Sequence, residues 1–278
     1  MKEVNIKQEV VDGYGRLAKA ASGGVFSKFF ACCDISGQAE AVGREIGYTT
    51  DQLASVPSDA NLGVGCGNPA ALADIQSGQT VVDLGSGAGF DAFIIAQEVG
   101  ETGKVIGVDL SSDMIGLARK NAKTGNYGQV EFVKGDIEAL PLDADVADHV
   151  VSNCVINLSQ HKDKVYAEAY RVLKPGGRLS ISDIVLERDL PDRVVNSISG
   201  RIACVSGAER LDDYLRYIAS AGFEEVQIKK KTTFPLELML ADPQIAKLAG
   251  ELDIAIDSEE ARDIAARVAS VSITAVKR

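Results

Sequence analysis

A chain of 278 residues, 46% hydrophobic and 25% charged, is large enough to bury a sizeable core, and its net charge of −11 disfavours nucleic acid and anionic membrane surfaces as partners. No apolar run approaches the roughly 20 residues of a membrane span. The N-terminal stretch MKEVNIKQEVVDGYG lacks the apolar centre of a secretory signal, so a cytoplasmic location is expected. In a reducing compartment the five cysteines are expected to react, ligate or pack rather than to staple the chain, and none lies in a CxxC pattern. With only two histidines, His149 and His161, there is little material for a histidine-based metal site.

Residues 1–75 mix short helical patterns with glycine breaks and are expected to form a helical segment over a pocket. Within them TTDQLASVP reads as a short helix with a Thr or Asp cap, ended by Pro57. From residue 76 onward one domain is expected. TVVDLG (80–85) is a buried strand, FDAFIIAQEVG (90–100) a helix, KVIGVDL (104–110) a strand and SSDMIGLARKNAKTG (111–125) a helix closed by Gly125. VEFVKGD (130–136) and ADHVVSNCV (147–155) are strands three and four. A helix over 161–177 stopped by Pro and Gly follows, then a strand over 178–185. Helical insertions fall near 190–221 and 234–268, around a strand at 224–231, and a last strand covers 271–278. Strand–helix alternation at this spacing predicts an α/β fold: a doubly wound, mostly parallel seven-stranded sheet, with an antiparallel last strand reached through a long excursion.

The loop DLGSGAG leaves the first strand and enters a helix. Glycines there let the backbone turn sharply and approach a ligand. Its GxGxG spacing, with Asp83 ahead of it, departs from the GxGxxG of dinucleotide-binding loops. Asp109 ends the next strand, where a carboxylate can accept both hydroxyls of a ribose. Asp136, in GDIEALP, ends strand three, within reach of an adenine amine. Asp91 could fix the loop or a cofactor amino group. The ordered set DLGSGAG, GVDLS, GDIEALP and RVLKPGG resembles the class I S-adenosylmethionine-dependent methyltransferases, which have a Rossmann-like fold. The resemblance implies S-adenosylmethionine as cofactor, held by Asp83, Gly85, Ser86, Gly87, Asp109, Leu110, Met114, Asp136, Ile137 and Asn153.

Three cysteines stand in remote segments: Cys66 in GVGCGNP, Cys154 in SNCVINLS and Cys204 in GRIACVSGA. Each alone reads as a small buried apolar residue. Cys154, however, lies past strand four at the edge where doubly wound folds bind ligands. FFACCDI, ANLGVGCGNP, VVDLGSGAGFDAF, VSNCVINLS, VLKPGGRLSISDIV and ACVSGA together resemble the arsenite S-adenosylmethionine methyltransferases of prokaryotes, from about Tyr14 through Phe223. The resemblance implies that Cys66, Cys154 and Cys204 hold trivalent arsenic as thiolates, in arsenite and in its methylated product. It further implies that Cys32 and Cys33 capture or relay arsenic or take part in redox turnover. Trivalent arsenic is soft and thiophilic, and three sulfurs on one side leave its lone pair free, so no general base is required. Methylation formally oxidises arsenic, and a thiol reductant such as thioredoxin or glutathione would restore the cysteines. Glycines 63, 65 and 67 would let the Cys66 segment close over the substrate. Asp183 reads as a structural polar residue. The competing readings are a carbon methyltransferase acting on a quinone- or sterol-like acceptor, which leaves the cysteines unexplained, and a non-catalytic arsenic or metal sensor.

Overall fold

The computed structural model describes residues 6–22, 35–233 and 243–278. Cys32 and Cys33 lie outside the described residues.

The valine-rich run β1 (Thr80–Leu84) is buried from its second residue onward, as expected of a parallel strand covered on both faces. It pairs in parallel with β2 (Lys104–Asp109) on one side and with β4 (Ala147–Asn153) on the other. β3 (Val130–Lys134) continues the sheet beyond β2, and β5 (Leu173–Leu186) continues it beyond β4. β7 (Val268–Val276) inserts antiparallel between β5 and β6 (Glu224–Thr233), giving the order β3-β2-β1-β4-β5-β7-β6. The expected seven-stranded, mostly parallel α/β sheet is therefore present, with β7 as its antiparallel strand. Its order reverses between β1 and β4, and the loops at their C-terminal ends open a crevice there.

In the register between β4 and β5, Asn153 faces Ser182, which precedes Asp183. The residues after β4 and the end of β5 therefore meet at one edge. One expected element differs. The helix foreseen over 161–177 ends at Val172, and β5 begins at Leu173, pairing with Ala147 before a register shift around Pro175 and the two glycines. The missing proline N–H and the flexible glycines suit an irregular strand entry as well as they suit a helix stop.

Helices cover both faces. Near the N-terminus lie α1 (Ile6–Ser22), α2 (Ile35–Glu45) and α3 (Thr50–Ala54). Thr49 caps α3 in a reciprocal capping box with Gln52, and the helix stops at Ser55, before Pro57. The crossovers are α4 (Phe90–Val99), α5 (Ser112–Thr124) and α6 (Lys162–Val172). α4 is buried along most of its length because it packs between the sheet and the N-terminal residues Tyr48, Leu53 and Val56. The region after β5 carries α7 (Asp192–Val195), α8 (Ile198–Ile202) and α9 (Leu211–Ser220), and α10 (Pro243–Glu251) and α11 (Glu259–Ala265) precede β7. α1 packs across α5 and α8, and so spans the crevice edge from the β2 side to the insertion after β5.

Candidate active site

The glycine loop after β1 is built for a close-lying ligand. Gly87 has φ +52°, and a Cβ placed on it would meet nothing within 4 Å, so the backbone is exposed to open space. The Asp109 carboxylate holds the loop in place. One oxygen accepts the Gly87 N–H at 3.0 Å and the other the Ser111 N–H at 2.8 Å. Burial raises the Asp109 pKa, and these backbone donors oppose the shift.

Two further carboxylates lie beneath the loop. Asp83 is 2% exposed, and its Oδ2 and the Oγ of Ser86 have no hydrogen-bond partner among the described residues. Burial pushes Asp83 well above the carboxylate range, with Asp91 and Asp109 adding repulsion. Asp91 is pushed up to about 6 by burial, although Tyr48 and Asn153 donate to it. Among the described residues no lysine or arginine contributes to either shift. Buried acids without a cation suit a ligand that brings positive charge, and S-adenosylmethionine carries both an ammonium and a sulfonium. The residues present thus fit that cofactor.

The other cofactor candidates are distributed unevenly. Leu110 and Ile137 are half-buried, the latter against the main core, and Met114 is buried under α1 with Ala18, Ala88 and Leu117. Asp136, expected at an adenine amine, is already ion-paired: Lys7 of α1 lies 2.6 Å from it and 3.0 Å from Glu138. α1 therefore closes on the crevice at the position expected for the base.

Asn153, at the end of β4, joins the glycine-loop helix to the cysteines. Its side-chain oxygen accepts the Cys66 N–H at 3.0 Å. Its amide nitrogen donates to the Gly67 carbonyl at 2.8 Å, the Tyr48 hydroxyl at 3.0 Å and Asp91 Oδ2 at 3.1 Å. Tyr48 in turn donates to Asp91 Oδ1 at 2.5 Å. The Cys66 segment is docked rather than open: the Ser270 hydroxyl donates to the Cys66 carbonyl at 2.6 Å, and a Cβ on Gly67 would stand 2.5 Å from Ser182 Oγ. Glycine at 67 is needed for this close approach as much as for any movement.

Cys154 and Cys204 adopt φ of +58° and +62°. Among the described residues the other non-glycine residues with positive φ are Asp, Asn or Glu, of which Asp and Asn tolerate this region. Such strain persists only where the surrounding structure enforces it. Here the Cys154 N–H is held by the Ser182 carbonyl at 2.8 Å, and the Cys204 N–H by the Arg201 carbonyl at 2.9 Å. The buried Lys162 ammonium donates to the Gly207 carbonyl at 2.9 Å and pins the segment after Cys204. The Cys204 thiol donates to the Cys154 carbonyl at 2.7 Å, and Tyr14 of α1 lies 3.9 Å from its sulfur. Cys66 Sγ, Cys154 Sγ and an Asp183 carboxylate oxygen all lie within 4.8 Å of one another. Around them Ile184, Leu190, Val194, Val205 and Leu248 form an apolar wall.

The three thiols are neutral in this environment. Burial pushes Cys66 up to about 11, despite a hydrogen bond with Cys154 that lowers it. The Cys204 hydrogen bond lowers Cys154, but Cys66 and burial more than offset it, and Cys204 is raised by Cys154 and by burial.

Tyr48, Asp183 and Ser270 are the site-lining groups that the sequence reading missed or undervalued. Ser182–Asp183, a polar pair inside the buried run of strand β5, was the available signal for Asp183. Tyr48 and Ser270 lie in segments with no motif of their own.

A strand–glycine loop–helix unit, acidic residues ending β1 and β2, and a crevice at the sheet reversal define a nucleoside-binding methyltransferase domain. A protein-family profile described as "Methyltransferase domain" matches residues 75–231. The chain is 48% identical over 201 residues to an arsenite methyltransferase of Halobacterium salinarum, covering 72% of this chain and 51% of that protein. It is 35% identical over 228 residues to one of Aquipseudomonas alcaligenes, covering 80% and 63%. The crystal structure of an arsenic(III) S-adenosylmethionine methyltransferase from Chlamydomonas reinhardtii superposes with a TM-score of 0.61 at 31% identity, covering 85% of this chain and 72% of that one. The chain belongs to the arsenite methyltransferase family, and it spans half to two thirds of the length of the two curated relatives.

Asp109→Ala removes the clamp on Gly87 together with the carboxylate expected to accept the cofactor ribose. Losing hydrogen bonds to a charged group costs ~1.5–3 kcal/mol, so S-adenosylmethionine should bind about ten- to a hundredfold more weakly by calorimetry, with arsenite retention unchanged. Unaltered cofactor affinity would place the ribose elsewhere.

Asp91 gives a pH prediction. Its folded pKa of about 6 exceeds the ordinary 3.8, so between those values the folded state binds more protons than the unfolded state. Stability therefore falls as pH rises through that window. Without cofactor, wild type should lose ~1–3 kcal/mol relative to Asp91→Asn between about pH 4 and 7 in urea denaturation. A constant difference across that range would show that Asp91 titrates normally.

Proposed function

We propose that this chain transfers methyl groups from S-adenosylmethionine to trivalent arsenic held by Cys66, Cys154 and Cys204, as a step in arsenic detoxification. The observation that carries the reading is the convergence of three thiols from remote segments, two of them on left-handed backbone, in an apolar pocket joined through Asn153 to the glycine-loop helix. The arsenite methyltransferase relatives supply the substrate class.

S-adenosylmethionine, when bound, supplies a methyl group on a cationic sulfur. Asp83, Ser86, Gly87 and Asp109 would hold it, and Asp83 and Asp91 would balance its positive charge. The cysteines do the rest. Arsenite is a neutral trihydroxide near neutral pH. Each arsenic–sulfur bond formed releases one hydroxide, which leaves as water with the proton of the thiol. Three exchanges produce a trithiolate and three waters, with no net proton taken up or lost. Neutral buried thiols are therefore suited to capture, and arsenite affinity should be nearly flat between pH 7 and 8. With its sulfurs on one side, arsenic keeps a lone pair facing away from them. The apolar wall excludes water, and the protein's contribution is alignment. Methyl transfer takes arsenic formally from the trivalent to the pentavalent level; two site thiols would return two electrons to it as they join in a disulfide, which an external thiol, thioredoxin or glutathione, would reduce.

The test is purified protein incubated with arsenite, S-adenosylmethionine and thiol, with methylated arsenicals quantified. Cys154→Ser and Cys204→Ser should abolish methylation of both arsenite and its monomethyl product. Cys66→Ser should impair the first methylation far more than the second, because monomethylated arsenic has only two positions left to fill. Near-normal turnover of the monomethyl species by the Cys154 or Cys204 variant would remove that residue from the site. Equal losses on both substrates in a folded Cys66 variant would leave Cys66 as a structural turn.

A further inference from the structure

One donor cluster in this crevice is not purely sulfur. It consists of Cys66 Sγ, Cys154 Sγ and a carboxylate oxygen of Asp183, all within 4.8 Å of one another. Asp183 is 1% exposed at the end of β5. Its Oδ1 accepts the Ile184 N–H at 2.8 Å and the Asn157 amide at 2.9 Å, and its Oδ2 accepts the Tyr214 hydroxyl at 2.7 Å. These donors hold the carboxylate rigidly beside the thiols, and each oxygen keeps acceptor capacity because carboxylates carry about four lone-pair sites in total.

Trivalent arsenic has little use for this oxygen, since soft centres select sulfur. A divalent, borderline-soft ion has use for all three groups. Zinc takes thiolates at about 2.3 Å and carboxylates at about 2.0–2.2 Å in a tetrahedral shell. Donors around such an ion stand about 3.5–3.8 Å apart, so this set needs only small side-chain rotations to close. The fourth position has a candidate in Cys204, whose thiol is turned to the Cys154 carbonyl beside the set. Charge points the same way. Asp183 and Asp91 both make the surroundings of the Cys66 sulfur negative, which favours a dication over a neutral trihydroxide. Supporting donors of the kind that Asp183 has are the usual second layer of a metal site.

We propose that Cys66, Cys154 and Asp183 form a binding site for a thiophilic divalent cation, zinc or its softer analogue cadmium, which competes with trivalent arsenic for the same sulfurs. On binding, two sulfur–metal bonds replace two S–H bonds and the two protons pass to solvent. No electron is transferred. The competition rests on the arsenic reading above, whereas the cation site stands on the geometry alone.

Asp183 separates the two ligands experimentally. Reduced protein is titrated with cadmium, followed by sulfur-to-cadmium charge-transfer absorption against a competing chelator. Arsenite retention is measured in parallel as arsenic content after desalting. Asp183→Asn should weaken cadmium binding at least about tenfold, the loss typical of removing groups that support or complete a metal site. It should change arsenite retention less than about threefold, and cadmium should displace arsenite from wild type. Cadmium binding that Asp183→Asn leaves unchanged would overturn the proposal. If that variant does not fold, zinc-edge X-ray absorption of zinc-loaded wild type decides: a mixed sulfur and oxygen shell supports the site, and an all-sulfur shell overturns it. Wild type that binds cadmium but never retains arsenite would defeat the arsenic reading and leave the cation site in place.

Discussion

The side chain of Asn153 is the joint on which the rest of the crevice depends. A carboxamide offers donors and an acceptor in one plane, and here they are used by Cys66, Gly67, Tyr48 and Asp91 together. These partners come from three parts of the chain: the cysteine turn, the N-terminal helical region and the helix after the glycine loop. β4 supplies a rigid base for this joint, because Asn153 is its last residue and stays in register with Ser182 of β5. A displaced Asn153 would cost Asp91 Oδ2 its amide donor and the Cys66 N–H its acceptor in a buried setting, which is costly. The helix after the glycine loop and the Cys66 turn are thus held by a single group. That arrangement is what a reaction between two ligands in one crevice needs.

The crevice uses charge sparingly. Beneath the glycine loop Asp83 and Asp91 are buried without a cation among the described residues. Such a pocket is poorly satisfied alone and well satisfied by a positively charged cofactor, so binding and stability are linked. Around the cysteines the walls are aliphatic and the thiols protonated. Protonated thiols resist casual oxidation, because the thiolate is the reactive form. In the proposed arsenite capture the substrate's own hydroxides carry the thiol protons away as water. Asp183 adds negative charge beside Cys66, which in the proposed cation site favours a dication over neutral arsenite.

Much of the fold could be read from sequence because its signals are local. Valine-rich strands, glycine-closed helices and the DLGSGAG loop each announce themselves within ten residues. The helix expected over 161–177 failed at its end because Pro175 and the neighbouring glycines are compatible with both a helix stop and an irregular strand start, and only pairing with Ala147 decides. The cysteines were legible as a set through family resemblance. Their left-handed backbone was not, since nothing adjacent to Cys154 or Cys204 encodes φ above zero; the enforcing hydrogen bonds come from Ser182 and from the helix turn at Arg201. Tyr48 and Ser270 were invisible for the same reason, being joined to the site across 105 and 204 residues of sequence. Asp136 shows the converse: its position is legible, but its pairing with Lys7 depends on how α1 docks.

The central claim is that trivalent arsenic is held by three sulfurs in this pocket. Arsenic-edge X-ray absorption of reduced protein loaded with one equivalent of arsenite tests it most directly. The account predicts a shell of three sulfurs with no oxygen, changing to a mixed sulfur and oxygen shell when Cys66, Cys154 or Cys204 is replaced by serine. Oxygen retained in the arsenic shell of the wild-type protein, or an unchanged shell in all three variants, would contradict it.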